Sequence, residues 1–249
     1  MAEQTGSKRT GDNATGAHPP LGRHPIRAAG HVQLTPRDIE ILIWVTRHGM
    51  VSLTQIARKF FPTPHGLSAA TQRVRKLRTM TPPLMRSDVT YYKDPTVLRV
   101  TTHGARIADV GISPARFVPN EARHALNIVD LTEELLAKNP ESTLVTERER
   151  RADRYRDKRA GKRKTTGRIP DAVFIFPATD SKKERTVAVE LDRSPRNRMD
   201  IESVIQAYLS ERYTEVWWYV RPTRVEIVRQ ITRRMKVADL FEVRPWQDH

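Results

Sequence analysis

The sequence predicts an α+β protein built in two units. Three observations carry that expectation. Apolar residues recur at helical spacing in three short segments between residues 35 and 79, and two β-type runs around a polar turn follow them. From residue 120 onward, helical patterns alternate with apolar strand-like runs. The positive charge is concentrated in the first unit and in one internal segment.

A chain of 249 residues allows one large domain or two ordinary ones. It carries 44 Lys and Arg against 29 Asp and Glu, a formal net charge of +15. Residues 34–119 hold thirteen basic and five acidic side chains, and residues 148–168 hold eleven and three. The rest of the C-terminal region is mildly acidic. A charge placed this way implies a polyanionic partner, most simply nucleic acid, for one half of the molecule. The absence of cysteine excludes disulfides, thiolate metal sites, iron–sulfur clusters and cysteine nucleophiles. No apolar run approaches the roughly 18 residues of a spanning helix. Nor does one follow Lys8 and Arg9 as in a secretory leader. A cytoplasmic protein with no membrane partner is therefore expected.

Residues 1–33 are rich in Gly, Ala, Thr, Pro, Asn and His without periodicity, the composition of a disordered tail. Leu34, Thr35 and Pro36 then open a folded unit. Thr35 is a suitable N-cap and Pro36 suits the first helical position. The helix over 37–48 carries Ile39, Ile41, Leu42, Ile43, Trp44 and Val45, and Gly49 ends it. A second helix follows, with Ser52 or Thr54 as cap and Leu53, Ile56, Ala57 and Phe60 inward, before Pro62 and Pro64 stop it. A third runs over 68–79. Ala70, Val74 and Leu77 share its inner face. Ser68, Gln72, Arg75, Lys76 and Thr79 occupy the opposite face, flanked by Arg73 and Arg78, with no acid between Ser68 and Met80. A hairpin over 84–100, turning at 93–96, and a short helix over 102–110 complete the unit.

Three helices and a hairpin in this order make a winged helix-turn-helix over residues 34–118. A helix fits the major groove, where Gln pairs with adenine and Arg with guanine, so Gln72 and Arg75 are the expected base readers. Arg86, Lys93 and Arg99 on the wing are expected to meet phosphates.

Residues 119–249 form the second unit. A helix over 120–138, capped by Asn120, turns Leu126, Val129, Leu135 and Leu136 inward. Strands are expected at 144–145, 168–176, 186–191 and 215–220, with the basic segment 148–168 after the first and helices over 201–212 and 222–235. The core order is αβββαβ. Asp171 follows Pro170 in one strand, Glu190 closes the apolar run of the next, and Asp192 lies two residues further on. If the two strands are neighbours, Asp171 and Glu190 converge at one sheet end. Such a pair can ligate Mg²⁺, a hard cation that takes oxygen ligands. Glu147 is a candidate third carboxylate. As strand-end acids, all of these serve equally well as salt-bridge partners of Arg168 or Arg193. The eight histidines show no ligand spacing, no Gly-rich phosphate loop occurs, and the Trp217, Trp218, Tyr219 run suits a core better than a base-stacking platform.

Pro170 and Asp171 followed by Glu190, Leu191 and Asp192 resemble the PD-(D/E)xK restriction-endonuclease-like fold over roughly residues 120–220. The resemblance implies metal binding by Asp171 and Glu190, with Asp171, Glu190 and Asp192 as candidate catalytic residues and Mg²⁺ as the one implied cofactor. It also implies a lysine two positions after the Glu, where this chain has Asp192, so a nuclease-like fold without cleavage is expected. From Leu34 onward the chain is also similar to the replication-relaxation family of plasmids and mobile elements. That likeness rests on Leu34, Thr35, Pro36, Arg37 and Asp38, on Thr101, Thr102, His103 and Gly104, on His124, Ala125 and Leu126, on Ile169, Pro170 and Asp171, and on Glu190, Leu191, Asp192 and Arg193. It implies a bacterial double-stranded-DNA-binding protein of replication, relaxation or transfer, with replication or relaxosome proteins or a second copy of the chain as partners. Two rivals remain: a Mg²⁺-dependent nicking endonuclease using Asp171 and Glu190, and a transcriptional regulator whose second unit only dimerises.

Overall fold

The computed structural model describes residues 33–89, 96–162, 167–181, 183–193 and 196–247. Over these residues the molecule mixes helices and two sheets, an α+β architecture. The expected tail before Gln33 and most of the hairpin turn, Lys93 included, lie outside the described residues.

Helix α1 (Pro36–His48) starts where the capping chemistry places it. The Thr35 hydroxyl accepts the Asp38 N–H at 3.3 Å, and the Asp38 carboxylate accepts the Thr35 N–H at 2.6 Å. Strand β1 (Val51–Ser52) leads into α2 (Leu53–Phe60), capped in the same reciprocal way by Ser52 and Gln55. Helix α3 (Gly66–Thr79) begins two residues before the expected Ser68. Its first turn lies so close to the Phe61 carbonyl that a Cβ on residue 66 would stand 1.9 Å from that oxygen, and glycine alone fits. The buried stripe of α3 is Ala70, Val74 and Leu77. A fully buried aliphatic side chain contributes roughly 1.5–3 kcal/mol. That outweighs the few tenths by which Thr, Gln and Arg differ in helix propensity, so packing fixes this helix.

Strands β2 (Met85–Asp88) and β3 (Val97–Val100) pair antiparallel, and β1 pairs with the other side of β3. Helix α4 (Thr102–Ala108) docks on the segment before β2. The Thr101 N–H donates to the Leu84 carbonyl at 2.9 Å, and its hydroxyl donates to the Pro83 carbonyl at 2.6 Å. A Cβ on Gly104 would lie 2.1 Å from that Leu84 oxygen, which gives the Thr101 to Gly104 motif a packing reason. Ile41, Leu42, Val45, Ile56, Leu77 and Leu84 are the centre of this first core.

Helix α5 (Pro119–Lys138) is the spine between the halves. It starts at Pro119 with no side-chain cap, so Asn120 is not the cap. Val129 packs into the first core, and Ala122 and Leu126 join Met50 and Val97, whereas Leu131 and Leu135 enter the second core. At about 100° per residue these two sets point in opposite directions. The second sheet contains β4 (Thr143–Thr146), β5 (Ala172–Phe176), β6 (Arg185–Asp192), β7 (Glu215–Val220) and β8 (Phe241–Pro245), in that spatial order. The first three are antiparallel neighbours, while β6, β7 and β8 run parallel. Helices α7 (Arg198–Leu209) and α8 (Val225–Arg234, after a short 3₁₀ turn) make the two parallel crossovers. Side chains alternate between faces. Phe174, Val189, Leu191 and Trp217 pack toward α5, and Ala188, Val216, Trp218 and Val220 pack toward α7 and α8. The Trp217, Trp218, Tyr219 run is therefore interior.

Polar contacts tie the halves together. Gln55 Nε2 donates to the Leu126 carbonyl at 2.8 Å, Trp44 Nε1 to Glu133 at 2.9 Å, and Arg47 to the Leu144 carbonyl at 2.7 Å. Helix α6 (Glu147–Arg159), which covers the first part of the basic segment, adds Arg148, which donates to the carbonyls of Thr46 and Ser113. No helix among the described residues is long and apolar enough to cross a membrane.

Candidate functional site

The outer face of α3 is the first candidate site. Ser68, Gln72, Arg75, Lys76, Arg78 and Thr79 are exposed along it. Among the described residues, Arg75, Lys76 and Arg78 have no ion-pair partner, since α3 has no acid and no neighbouring element supplies one. The Thr79 hydroxyl donates back to the Arg75 carbonyl at 3.0 Å, so it is partly spent on the helix.

Two expected members are absent from this surface. Arg73 turns inward and forms a two-pronged ion pair with Asp38, whose side chain is fully buried. Burial pushes its pKa below the usual guanidinium value. Its task is to neutralise the cap of α1. Arg99 is also buried: its Nε donates to Asp88 at 2.9 Å, its Nη1 to the Ala115 carbonyl at 2.5 Å, and it lies over the Phe117 ring. It anchors the segment before α5 to the small sheet and has no route to a phosphate. Arg86, its cross-strand partner, remains exposed. Lys93 falls outside the described residues.

The second candidate site lies where β5 begins and β6 ends. Antiparallel register sets Ala172 against Val189, which brings Asp171 alongside Glu190. Asp171 Oδ2 accepts the Leu191 N–H at 2.8 Å, and its Oδ1 lies 3.2 Å from His124 Nε2 on α5. Glu190 is almost fully buried. Arg168 donates to both of its oxygens, one at 3.1 Å, and the Tyr208 hydroxyl donates to Oε2 at 2.6 Å. Burial and Asp171 push the Glu190 pKa up, against the pull of Arg168 and Tyr208. Burial also drives the Tyr208 phenol well above its usual range, so it stays a donor. Arg168 is held charged by Glu190 despite its own desolvation. Asp192 has Arg196 Nε 2.8 Å from its Oδ2. Glu147, the first residue of α6 just after β4, pairs with Arg151 at 2.6 Å.

This arrangement does not fit a divalent cation. The oxygens that Mg²⁺ would take are committed to Arg168, Tyr208, His124 and a backbone N–H. Among the described residues no group of three His, Asp or Glu side chains is placed to share a metal. The position expected to hold a lysine is Asp192, itself paired with arginine. Asp171 and Glu190 do meet, as the strand reading anticipates, but guanidinium fills the place of a metal. The sequence reading missed His124, Arg196 and Tyr208 as members, and it treated Arg168 only as a salt-bridge alternative. They come from α5, α7 and two loops, and nothing in their spacing marks them.

His124 gives this cluster a pH signature. Burial alone would lower its pKa. The hydrogen bond and charge of Asp171, with Glu190 and Glu147, outweigh that and raise it above the ordinary 6.5. The pair therefore stabilises the fold fully below pH 6.5, and the contribution is lost as pH rises through the folded-state value. The His124 ring resonance in an NMR titration is expected to have its midpoint above 6.5, and a lower midpoint in Asp171→Asn, which removes the hydrogen bond and the nearest charge that oppose burial. A midpoint unchanged by that substitution would contradict the contact.

Comparison with family models, with curated proteins and with solved structures finds no match to this chain.

Proposed function

We propose that this chain is a double-stranded-DNA-binding protein whose residues 34–118 act as a winged helix-turn-helix, with α3 in the major groove. The observation that carries this reading is the outer face of α3: Gln72, Arg75, Lys76 and Arg78 stand exposed beside Ser68, with no acid on the helix and no partner for the cations among the described residues. A cationic face left unneutralised suits a polyanion, and a helix with short polar and bidentate side chains suits base edges. Arg86 on β2 supplies a phosphate contact beside it. The second unit is a restriction-endonuclease-like αβββαβ arrangement, with α6 inserted after β4, that holds DNA or partners without cutting. Support for the absence of cleavage comes from Asp192 in the lysine position and from the commitment of Asp171 and Glu190 to neighbouring donors. The setting in replication, relaxation or transfer of a plasmid or mobile element rests on the short family-like segments alone.

Each phosphate neutralised contributes about −0.9 to the slope of log affinity against log salt. Phosphate contacts by Lys76, Arg78 and Arg86 therefore predict a slope of about −3 for a fluorescently labelled duplex followed by anisotropy. Supercoiled plasmid incubated with the protein and Mg²⁺ is expected to stay supercoiled. A flat salt dependence would oppose the groove-binding reading, and nicking that disappears in Asp171→Ala would replace it with the endonuclease.

A further inference from the structure

The three parallel strands β6, β7 and β8 end side by side, with Asp192, Val220 and Pro245 in register. Carboxyl ends of parallel strands are where α/β sheets open a crevice, because the chain leaves the sheet there. Here the crevice is a cavity of about 430 Å³ lined by Asp192, Arg193, Arg221, Thr223, Trp246 and Gln247. It adjoins a smaller one of about 190 Å³ that shares Asp192, Arg221 and Thr223 and adds Arg224. The larger falls within the roughly 300–1,000 Å³ of ordinary small-molecule pockets.

Its electrostatics favour an anion. Among the described lining residues, Arg193 and Arg221 in the larger cavity and Arg224 in the smaller face a single carboxylate, Asp192, so the lining carries a net positive charge. Arg196 is engaged with Asp192, and Arg224 donates to the Arg196 carbonyl, which fixes the floor. Arg221 is exposed and has no carboxylate within ion-pair reach among the described residues. The Thr223 hydroxyl adds a donor beside it. Trp246 is placed by its backbone N–H, which donates to the Val220 carbonyl at 2.7 Å, and its largely buried side chain borders the cavity beside the arginines. Guanidinium groups recognise phosphate oxygens through parallel N–H donors, and a flat apolar wall beside them suits a sugar or base.

We propose that this cavity is a receptor for a nucleoside phosphate, gripped directly by Arg221 with Thr223, against Trp246 and without a metal. The phosphate belongs either to a free nucleotide or to a nucleotide within DNA, and both present the same chemistry. The site stands apart from α3 and does not depend on the winged-helix reading.

The test follows the indole N–H signal of Trp246 in ¹H–¹⁵N spectra of the full chain, assigned by its loss in Trp246→Phe. Deoxyadenosine monophosphate added in the presence of EDTA is expected to move that signal saturably, and deoxyadenosine without the phosphate is expected to leave it in place. Arg221→Ala, a change at an exposed position that the fold tolerates, is expected to weaken the effect about tenfold to a hundredfold. A short duplex that moves the signal at lower phosphate concentration than the mononucleotide identifies DNA as the source, and the reverse order identifies the free nucleotide. An absent or non-saturable shift, an equal response to deoxyadenosine, or full binding by Arg221→Ala would overturn the proposal.

Discussion

Replacing Arg75 with alanine is expected to weaken duplex binding by about tenfold to a hundredfold and to relax sequence preference at one base pair. The magnitude follows from the loss of a bidentate guanidinium contact, worth about 1–3 kcal/mol of discrimination. Arg75 makes no structural contact that would confuse the result: it is exposed, and it has no ion-pair partner among the described residues. Stability should stay within about 0.5 kcal/mol of the parent protein. Arg86→Ala is the control. A phosphate contact carries no sequence information, so its loss lowers affinity for all duplexes alike and reduces the salt slope by about one unit. Arg73→Ala should behave differently again. It strips the partner from buried Asp38 and therefore acts on folding, although Arg73 sits in the same helix. Anisotropy titrations on a small set of duplexes, paired with thermal melts, separate the three behaviours.

Arg168→Ala is expected to destabilise the second unit by about 3 kcal/mol at neutral pH. The cause is the carboxylate left behind. Glu190 is almost entirely buried, and without Arg168 it keeps only the Tyr208 hydroxyl and a distant Arg196, 3.9 Å away. Removing one partner of a buried pair leaves a charge that the interior cannot solvate. Burial and the nearby Asp171 already favour the protonated acid. In the variant, Glu190 therefore takes up a proton more readily folded than unfolded. That stabilisation is present at low pH and lost as pH rises, so the difference from the parent narrows in mildly acidic buffer. Adding Glu190→Gln to Arg168→Ala should recover most of the loss. Urea unfolding of the two variants at two pH values gives the comparison. A single variant within about 0.5 kcal/mol of the parent would mean that the pair contributes little.

The parts of the structure legible in the sequence are those written in local chemistry. Thr35 and Pro36 announce the start of α1, and Ala70, Val74 and Leu77 announce the buried stripe of α3, because caps and helical periodicity involve residues only a few positions apart. The apolar runs of β5, β6 and β7 were equally plain, and with them the meeting of Asp171 and Glu190 once the strands pair. Long-range chemistry was not legible. Arg73 reads as a surface cation until Asp38, on another helix, is seen beneath it. Arg99 reads as a wing residue until the segment carrying Ala115 and Phe117 covers it. His124, Arg168 and Tyr208 approach the carboxylates from three different elements, and no spacing rule links residues so far apart. The boundary between halves was blurred for a related reason: the sequence shows the apolar residues of α5, but not that Val129 and Leu131 serve different cores.

The most direct test of DNA recognition by α3 is backbone amide mapping of the full chain as a duplex is added. The expected result is a contiguous set of shifted signals over residues 66–79 and around Arg86, with the cores unperturbed. Shifts confined to the second unit, with α3 untouched at saturation, would contradict the assignment of this helix to the groove.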